Sequence, residues 1–176
     1  MKGLIHICCA PCAVYPVSYL VDQNIDLMGY FYNPNIHPFQ EYERRKQPLK
    51  QFESYAGIQI IYANDYPMEN WIQSVVFREN NRCQYCYNDR LKAAAIIARK
   101  GKFDFFTSTL LYSKFQNHEL ITEIGVDLEK SYGVNFYYMD FRKGWKQGIE
   151  RSKQLNLYRQ QYCGCIYSEK ERFYKS

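Results

Sequence analysis

Seven cysteines fall into three groups, Cys8/Cys9/Cys12, Cys83/Cys86 and Cys163/Cys165, with none left over. Thiolates ligate soft metals and attack disulfides, so clustered thiols offer metal binding or two-electron redox chemistry. A single C-x-x-C is weak evidence. Three groups set beside Pro, Arg, Tyr and Asn residues do not read as small hydrophobic core residues. Zinc takes four ligands in a tetrahedron, commonly as two C-x-x-C pairs. Adjacent Cys8 and Cys9 meet that demand only if the chain turns sharply, and three thiols would stay spare. An iron–sulfur cluster spreads its iron corners over a larger body and accommodates Cys8 and Cys9 together with Cys83 and Cys86 more easily. The residues favour the cluster, with a structural zinc site as its competitor. Cys163-Gly164-Cys165 suggests different chemistry. If Gly164 bends, the two Cα atoms come within the ~4.4–6.8 Å that a disulfide requires. So tight a ring is strained and easily reduced, which suits a dithiol that opens and closes by two electrons, though a ligand role remains open.

Recurrent short apolar runs position these groups. Gly3–Ile7, Asp26–Tyr32, Gln59–Tyr62, Phe103–Thr107 and Val134–Phe141 read as strands. Helical spacing recurs between them over Ala13–Gln23, Pro38–Tyr55, Met68–Phe77, Asn88–Lys100, Gln116–Tyr132 and Gly144–Leu155. The alternation predicts an α/β fold with a mainly parallel sheet and helices on both faces. Ligands of such sheets bind beyond the carboxyl ends of the strands, where strand order reverses. The first cysteine group then ends strand one, the second lies in the loop opening the Asn88–Lys100 helix, and the third is near the C-terminus. The turn after strand one, Cys8-Cys9-Ala10-Pro11-Cys12, contains no glycine, and neither G-x-G nor G-K-[ST] occurs anywhere. A dinucleotide or P-loop triphosphate site is therefore disfavoured; thiols occupy the place of the phosphate cradle.

Composition agrees with a globular protein. A chain of 176 residues, 47% hydrophobic, suits one domain over residues 1–176 with no separable second domain. The net charge of +5 is compatible with a phosphate-bearing partner without demonstrating one. No run approaches the ~18 apolar residues of a membrane span, and the apolar part of the N-terminus is too short for a signal peptide. A cytoplasmic location is the expectation, and there thiols stay reduced.

Six motifs in this order resemble the cobalamin-independent epoxyqueuosine reductases, the QueH family. They are Cys8-Cys9-Ala10-Pro11-Cys12, Tyr32-Asn33-Pro34-Asn35-Ile36-His37-Pro38, Arg82-Cys83-Gln84-Tyr85-Cys86-Tyr87, Thr107-Ser108-Thr109-Leu110-Leu111-Tyr112-Ser113, Asp140-Phe141-Arg142-Lys143-Gly144-Trp145 and Tyr162-Cys163-Gly164-Cys165. The resemblance implies a single Rossmann-like domain similar to the HUP fold of tRNA-modifying ATPases. It implies an oxidoreductase that removes the epoxide oxygen of epoxyqueuosine at the wobble position of tRNA with a GUN anticodon, with electrons from a donor that the sequence does not identify. By the same resemblance, Cys8, Cys9, Cys83 and Cys86 would hold a 4Fe–4S cluster. Cys163 and Cys165 would form a redox-active disulfide, and a second metal ion, iron, would lie beside the cluster with Cys12 or Asp89 as its ligand.

Other residues divide between structure and function. Tyr32–Pro38, stiffened by two prolines, is either a structural loop or a wall of the substrate pocket, and His37 suits a hydrogen-bonded loop residue better than a proton donor. Glu41-Tyr42-Glu43-Arg44-Arg45-Lys46 reads as a solvated helix face, with tRNA contact from its basic residues as the alternative. Arg78, Arg82 and Arg90 flank the second cysteine group and would stabilise thiolates or meet phosphates. Arg142-Lys143-Gly144-Trp145-Lys146 mixes cations with an aromatic, the pattern that grips single-stranded loops, with a plain helix start as the alternative. Tyr85, Tyr87 and Tyr112 could stack on a splayed base. The competing reading for the whole chain is a zinc-stabilised RNA-binding module without catalysis.

Overall fold

The computed structural model describes residues 1–175. Five strands form one sheet: β1 (Lys2–His6), β2 (Asp26–Phe31), β3 (Gln59–Tyr62), β4 (Phe105–Ser108) and β5 (Asn135–Phe136). Their order is β3-β2-β1-β4-β5 and every pairing is parallel. The chain winds outward from β1 in one direction, then returns to β1's other side and winds the opposite way. Strand order thus reverses between β1 and β4, and the carboxyl ends of those two strands form the crevice in which such sheets bind ligands.

Helices α1 (Ala10–Asp22), α2 (Phe39–Ala56) and α6 (Trp145–Gln154) pack together against one face of the sheet; α4 (Arg82–Lys100) and α5 (His118–Tyr132) pack together on the other. Ala13, Val14, Val17 and Leu20 form the buried stripe of α1, and Leu91, Ala94, Ala95 and Ala98 that of α4. The small alanines let α4 approach both β1 and β4. On β1, a Cβ at Gly3 would fall 2.3 Å from the Phe105 ring, so the ring fills the space a side chain would need. The short α3 (Met68–Val75) and α7 (Ile166–Phe173) complete the fold.

The α/β expectation stands, with local corrections. Helix α1 begins at Ala10 rather than Ala13, because Pro11 suits a first helical turn; Cys9 becomes the residue capping the helix and Cys12 part of its opening turn. Helix α4 begins at Arg82, so Cys83 and Cys86 lie on helix, one turn apart, and not in a preceding loop. Strand β5 is only two residues long: the chain leaves the sheet so that Asp140 can cap a 3₁₀ turn over Phe141–Gly144 by accepting the Arg142 N–H. Helix α7 buries no residue and therefore carries no apolar period to announce it.

Candidate metal centre and dithiol loop

The sulfur atoms of Cys8, Cys9 and Cys12 all lie within 4.8 Å of one another at the crevice between β1 and β4. Cys8 and Cys9 are 3.8 Å apart, Sγ to Sγ. The 3₁₀ turn that follows β4 supplies the support: Thr109 Oγ1 accepts the Cys8 backbone N–H at 3.1 Å and donates to Cys8 Sγ at 3.3 Å. His6, fully buried beneath them, hydrogen-bonds Ser108 Oγ at 2.9 Å and the Tyr32 carbonyl at 3.1 Å. Burial holds its pKa down at about 4, so it is a neutral strut. Crowding three thiols separates their acidities. Hydrogen bonds from Cys12 and Cys9 hold Cys8 well below the usual thiol range, while the same contact with Cys8 pushes Cys12 up and burial pushes Cys9 up.

Cys83 and Cys86 stand outside that triplet, on the first turns of α4. Burial pushes Cys86 up to about 12 and raises Cys83 as well. Arg90, one turn further along, connects the groups. Burial acts against its charge, yet the sulfurs of Cys86, Cys163 and Cys8 outweigh it and hold the guanidinium above its ordinary pKa. Its Nε donates to the Cys86 carbonyl at 3.1 Å, and its buried Nη2 has no hydrogen-bond partner among the described residues. A buried cation with a spare donor amid sulfur atoms is suited to a negatively charged, sulfur-rich centre. Burial raises the Asp89 pKa, against the opposing pull of Arg90, Tyr32 and Lys92.

Cys163 and Cys165 are both free thiols, in contrasting settings. Cys163 is exposed and accepts a hydrogen bond from Gln116 Nε2 at 3.4 Å; Cys165 is buried with Trp71, Val75 and Cys86 and accepts the Ser168 N–H at 3.4 Å. Gly164 between them has φ +150°, and a Cβ there would lie 3.3 Å from Arg45 Nη1. Arg45 donates to the carbonyls of Cys163, at 2.7 Å, and Tyr162, at 3.1 Å, while its Nε pairs with Glu41 at 2.7 Å. Tyr158 donates to the other Glu41 oxygen at 2.7 Å. This corrects the solvated-face reading of Glu41–Lys46: the Arg45 and Glu41 side chains are 1% and 6% exposed and form a clamp on the dithiol loop. The His37 N–H donates to the Gly164 carbonyl at 2.9 Å, and its ring bonds the Pro34 carbonyl and the Ile166 N–H. His37 is thus a structural residue of the Tyr32–Pro38 loop, which Asn33 ties to β1 through the Ile7 carbonyl at 2.9 Å.

Gln116 also lines an open cleft of about 1020 Å³ between the start of α5 and the Tyr138–Arg142 turn. His118 lines it too, and neither of its buried ring nitrogens has a hydrogen-bond partner among the described residues. Arg142 on the far wall is held by Asp140, Nε to Oδ1 and Nη2 to Oδ2 both at 2.8 Å. Tyr87 and Tyr112 are buried and serve packing and hydrogen bonding, which removes them as base-stacking candidates. Sequence reasoning missed Thr109 as support for Cys8, Trp71 beside Cys165, Gln116 and the Arg45–Glu41 clamp. Only the i, i+4 spacing of Glu41 and Arg45 offered a signal.

Comparison with known proteins adds to this geometry. The family model described as "Epoxyqueuosine reductase QueH" matches residues 4–171. A protein of that name from Dehalococcoides mccartyi is 38% identical, with 99% of this chain and 96% of that protein covered. Its namesake from Thermotoga maritima is 36% identical over 96% of this chain and 91% of that one. A crystal structure described as a predicted subunit of tRNA methyltransferase from Methanocaldococcus jannaschii superposes with a TM-score of 0.56 at 12% identity, covering 87% of this chain and 76% of that one, and shares the fold. With its cysteine groups, its parallel sheet and a match running almost end to end, the chain belongs to the QueH family of epoxyqueuosine reductases.

Proposed function

We propose that this protein reduces epoxyqueuosine to queuosine at the wobble position of tRNA. The observation that carries the reading is the convergence of Cys8, Cys9 and Cys12 within 4.8 Å at the strand-order reversal, in a chain that matches the reductase family over residues 4–171. The reaction consumes two electrons and two protons; both epoxide C–O bonds break, a C=C bond forms and the oxygen leaves as water. Among the described residues no helix is long and apolar enough to cross a membrane; a tRNA substrate would put the enzyme in the cytoplasm, with a separate electron donor.

The ligand set we propose for a 4Fe–4S cluster is Cys8, Cys9, Cys83 and Cys86. For an adjacent iron, Cys12 is favoured over Asp89, because Cys12 stands among the other sulfurs while Asp89 faces Tyr32. When bound, such a centre supplies single electrons and a Lewis acid for the epoxide oxygen. The protein does the rest. Thr109 fixes Cys8, neutral His6 props the crevice floor, and Arg90 offsets negative charge on the surrounding sulfur. Arg45 and Glu41 hold the Cys163–Cys165 loop, whose thiols we assign as the two-electron relay. The cleft reached through Gln116, beside Cys163, is where the nucleoside would enter. Anaerobically reconstituted protein, given reductant and epoxyqueuosine-containing tRNA, should yield queuosine on nucleoside mass spectrometry. Unchanged epoxyqueuosine from protein carrying its full complement of iron would contradict the proposal.

A further inference from the structure

Beside the cleft, residues 113–117 and the start of α6 build a surface that the redox chemistry leaves unused. Tyr112, rooted in the core, stacks on Trp145 with ring centroids 5.1 Å apart and planes 27° from parallel, and its hydroxyl donates to the Trp145 carbonyl. Phe115 meets the Trp145 ring edge-on, with centroids 6.0 Å apart, and is itself 85% exposed. A phenylalanine backed by a rigid aromatic stack and left in solvent has forgone burial that its neighbours obtain, which marks a contact surface rather than core. Lysines accompany it. The Lys114 ammonium lies 5.4 Å from the Trp145 ring centroid, Lys143 and Lys146 are exposed on either side of Trp145, and none of the three forms an ion pair among the described residues. Arg142, by contrast, is committed to Asp140 and drops out of the basic stretch.

The surface also lies in the right place. Phe115 adjoins Gln116, which touches Cys163, and Lys143 adjoins Arg142 on the opposite wall of the same cleft. One exposed ring among unpaired lysines suits a nucleic-acid base and its phosphates better than an apolar protein face, because every base offers a flat π surface and every nucleotide a negative charge. We propose that Phe115 is the stacking platform for an unpaired base of the RNA anticodon loop, with Lys114, Lys143 and Lys146 holding the flanking phosphates. This rests on the tRNA reading above and names the residues that would deliver the wobble nucleoside to the cleft.

The test is fluorescence anisotropy with a labelled anticodon stem-loop RNA and anaerobically reconstituted protein, using Phe115→Ala, Lys114→Gln, Lys143→Gln and, as control, Phe39→Ala on the exposed start of α2. Phe115→Ala should weaken binding about tenfold. Each lysine variant should reduce the slope of log K against log salt by about 0.7, and Phe39→Ala should bind as wild type does. Wild-type binding that Phe115→Ala leaves within twofold would overturn the platform while sparing the tRNA reading. Failure of the wild-type protein to bind the stem-loop at all would overturn both.

Discussion

The protein holds sulfur in two ways. Cys8, Cys9 and Cys12 emerge directly from the strand β1 end and the first turn of α1, so their positions are set by the best-packed part of the molecule. Cys163 and Cys165 sit on an irregular segment near the C-terminus, held by a buried ion pair reaching in from α2 and by hydrogen bonds with His37. The first arrangement suits an inorganic centre, whose ligands must stay put through an electron transfer. The second suits a dithiol, which must make and break a bond while remaining aimed at its partner. The asymmetry within the second pair, one thiol exposed and one packed against Trp71, gives it a direction: Cys163 faces solvent and Cys165 faces the interior.

Four tests probe this contrast. Cys8→Ser should have the largest effect. Changes to residues that merely orient a metal ligand cost about 10–100-fold, so losing a ligand should reduce turnover more than about 100-fold and remove visible absorption. Retention of both colour and activity would erase the distinction between the two sulfur sites. Arg45→Met comes next. It strands the buried Glu41 carboxylate, and urea denaturation should show a loss of about 3–5 kcal/mol, with much of it recovered in the Arg45→Met/Glu41→Leu double variant. An Arg45→Met protein of wild-type stability would mean that the clamp does not hold the loop. A smaller difference lies within the dithiol: in Cys163→Ser and Cys165→Ser proteins, alkylation followed by mass spectrometry should modify Cys163 about tenfold or more faster than Cys165. The smallest effect belongs to the rim. Hydrogen bonds from Arg142 hold Asp140 down at about 2. The stability this pairing contributes is therefore complete above about pH 4 and lost as pH falls toward 2. Asp140→Asn should lower Tm by about a degree or two at pH 7 and by clearly less at pH 2, where the folded-state carboxyl is about half protonated; an equal shift at both values would show that Asp140 acts through packing instead.

What was legible in the sequence follows from burial. The central strands carry continuous apolar runs, and Gln59–Tyr62 matches its predicted span residue for residue. The opening of α4 was not legible, because Arg82 to Asp89 directs sulfur and polar groups toward the site rather than a hydrophobic stripe toward the core. The start of α1 was readable from Pro11 but masked by the cysteines around it. Cys8 and Cys9 could be expected to act together from their adjacency, and Cys12 joins them because helix α1 begins early enough to turn its side chain back toward theirs. The Arg45–Glu41 clamp was hidden because an i, i+4 ion pair looks the same on a solvated face and in a buried one. Only the returning C-terminal segment, more than a hundred residues away, makes it interior.

The most direct test is the iron, acid-labile sulfide and zinc content of anaerobically prepared protein, read together with its absorption near 400 nm. The account predicts brown protein with at least about four irons and four sulfides per chain. Colourless protein holding one zinc per chain and no sulfide would contradict it, and would instead favour a zinc-stabilised RNA-binding module.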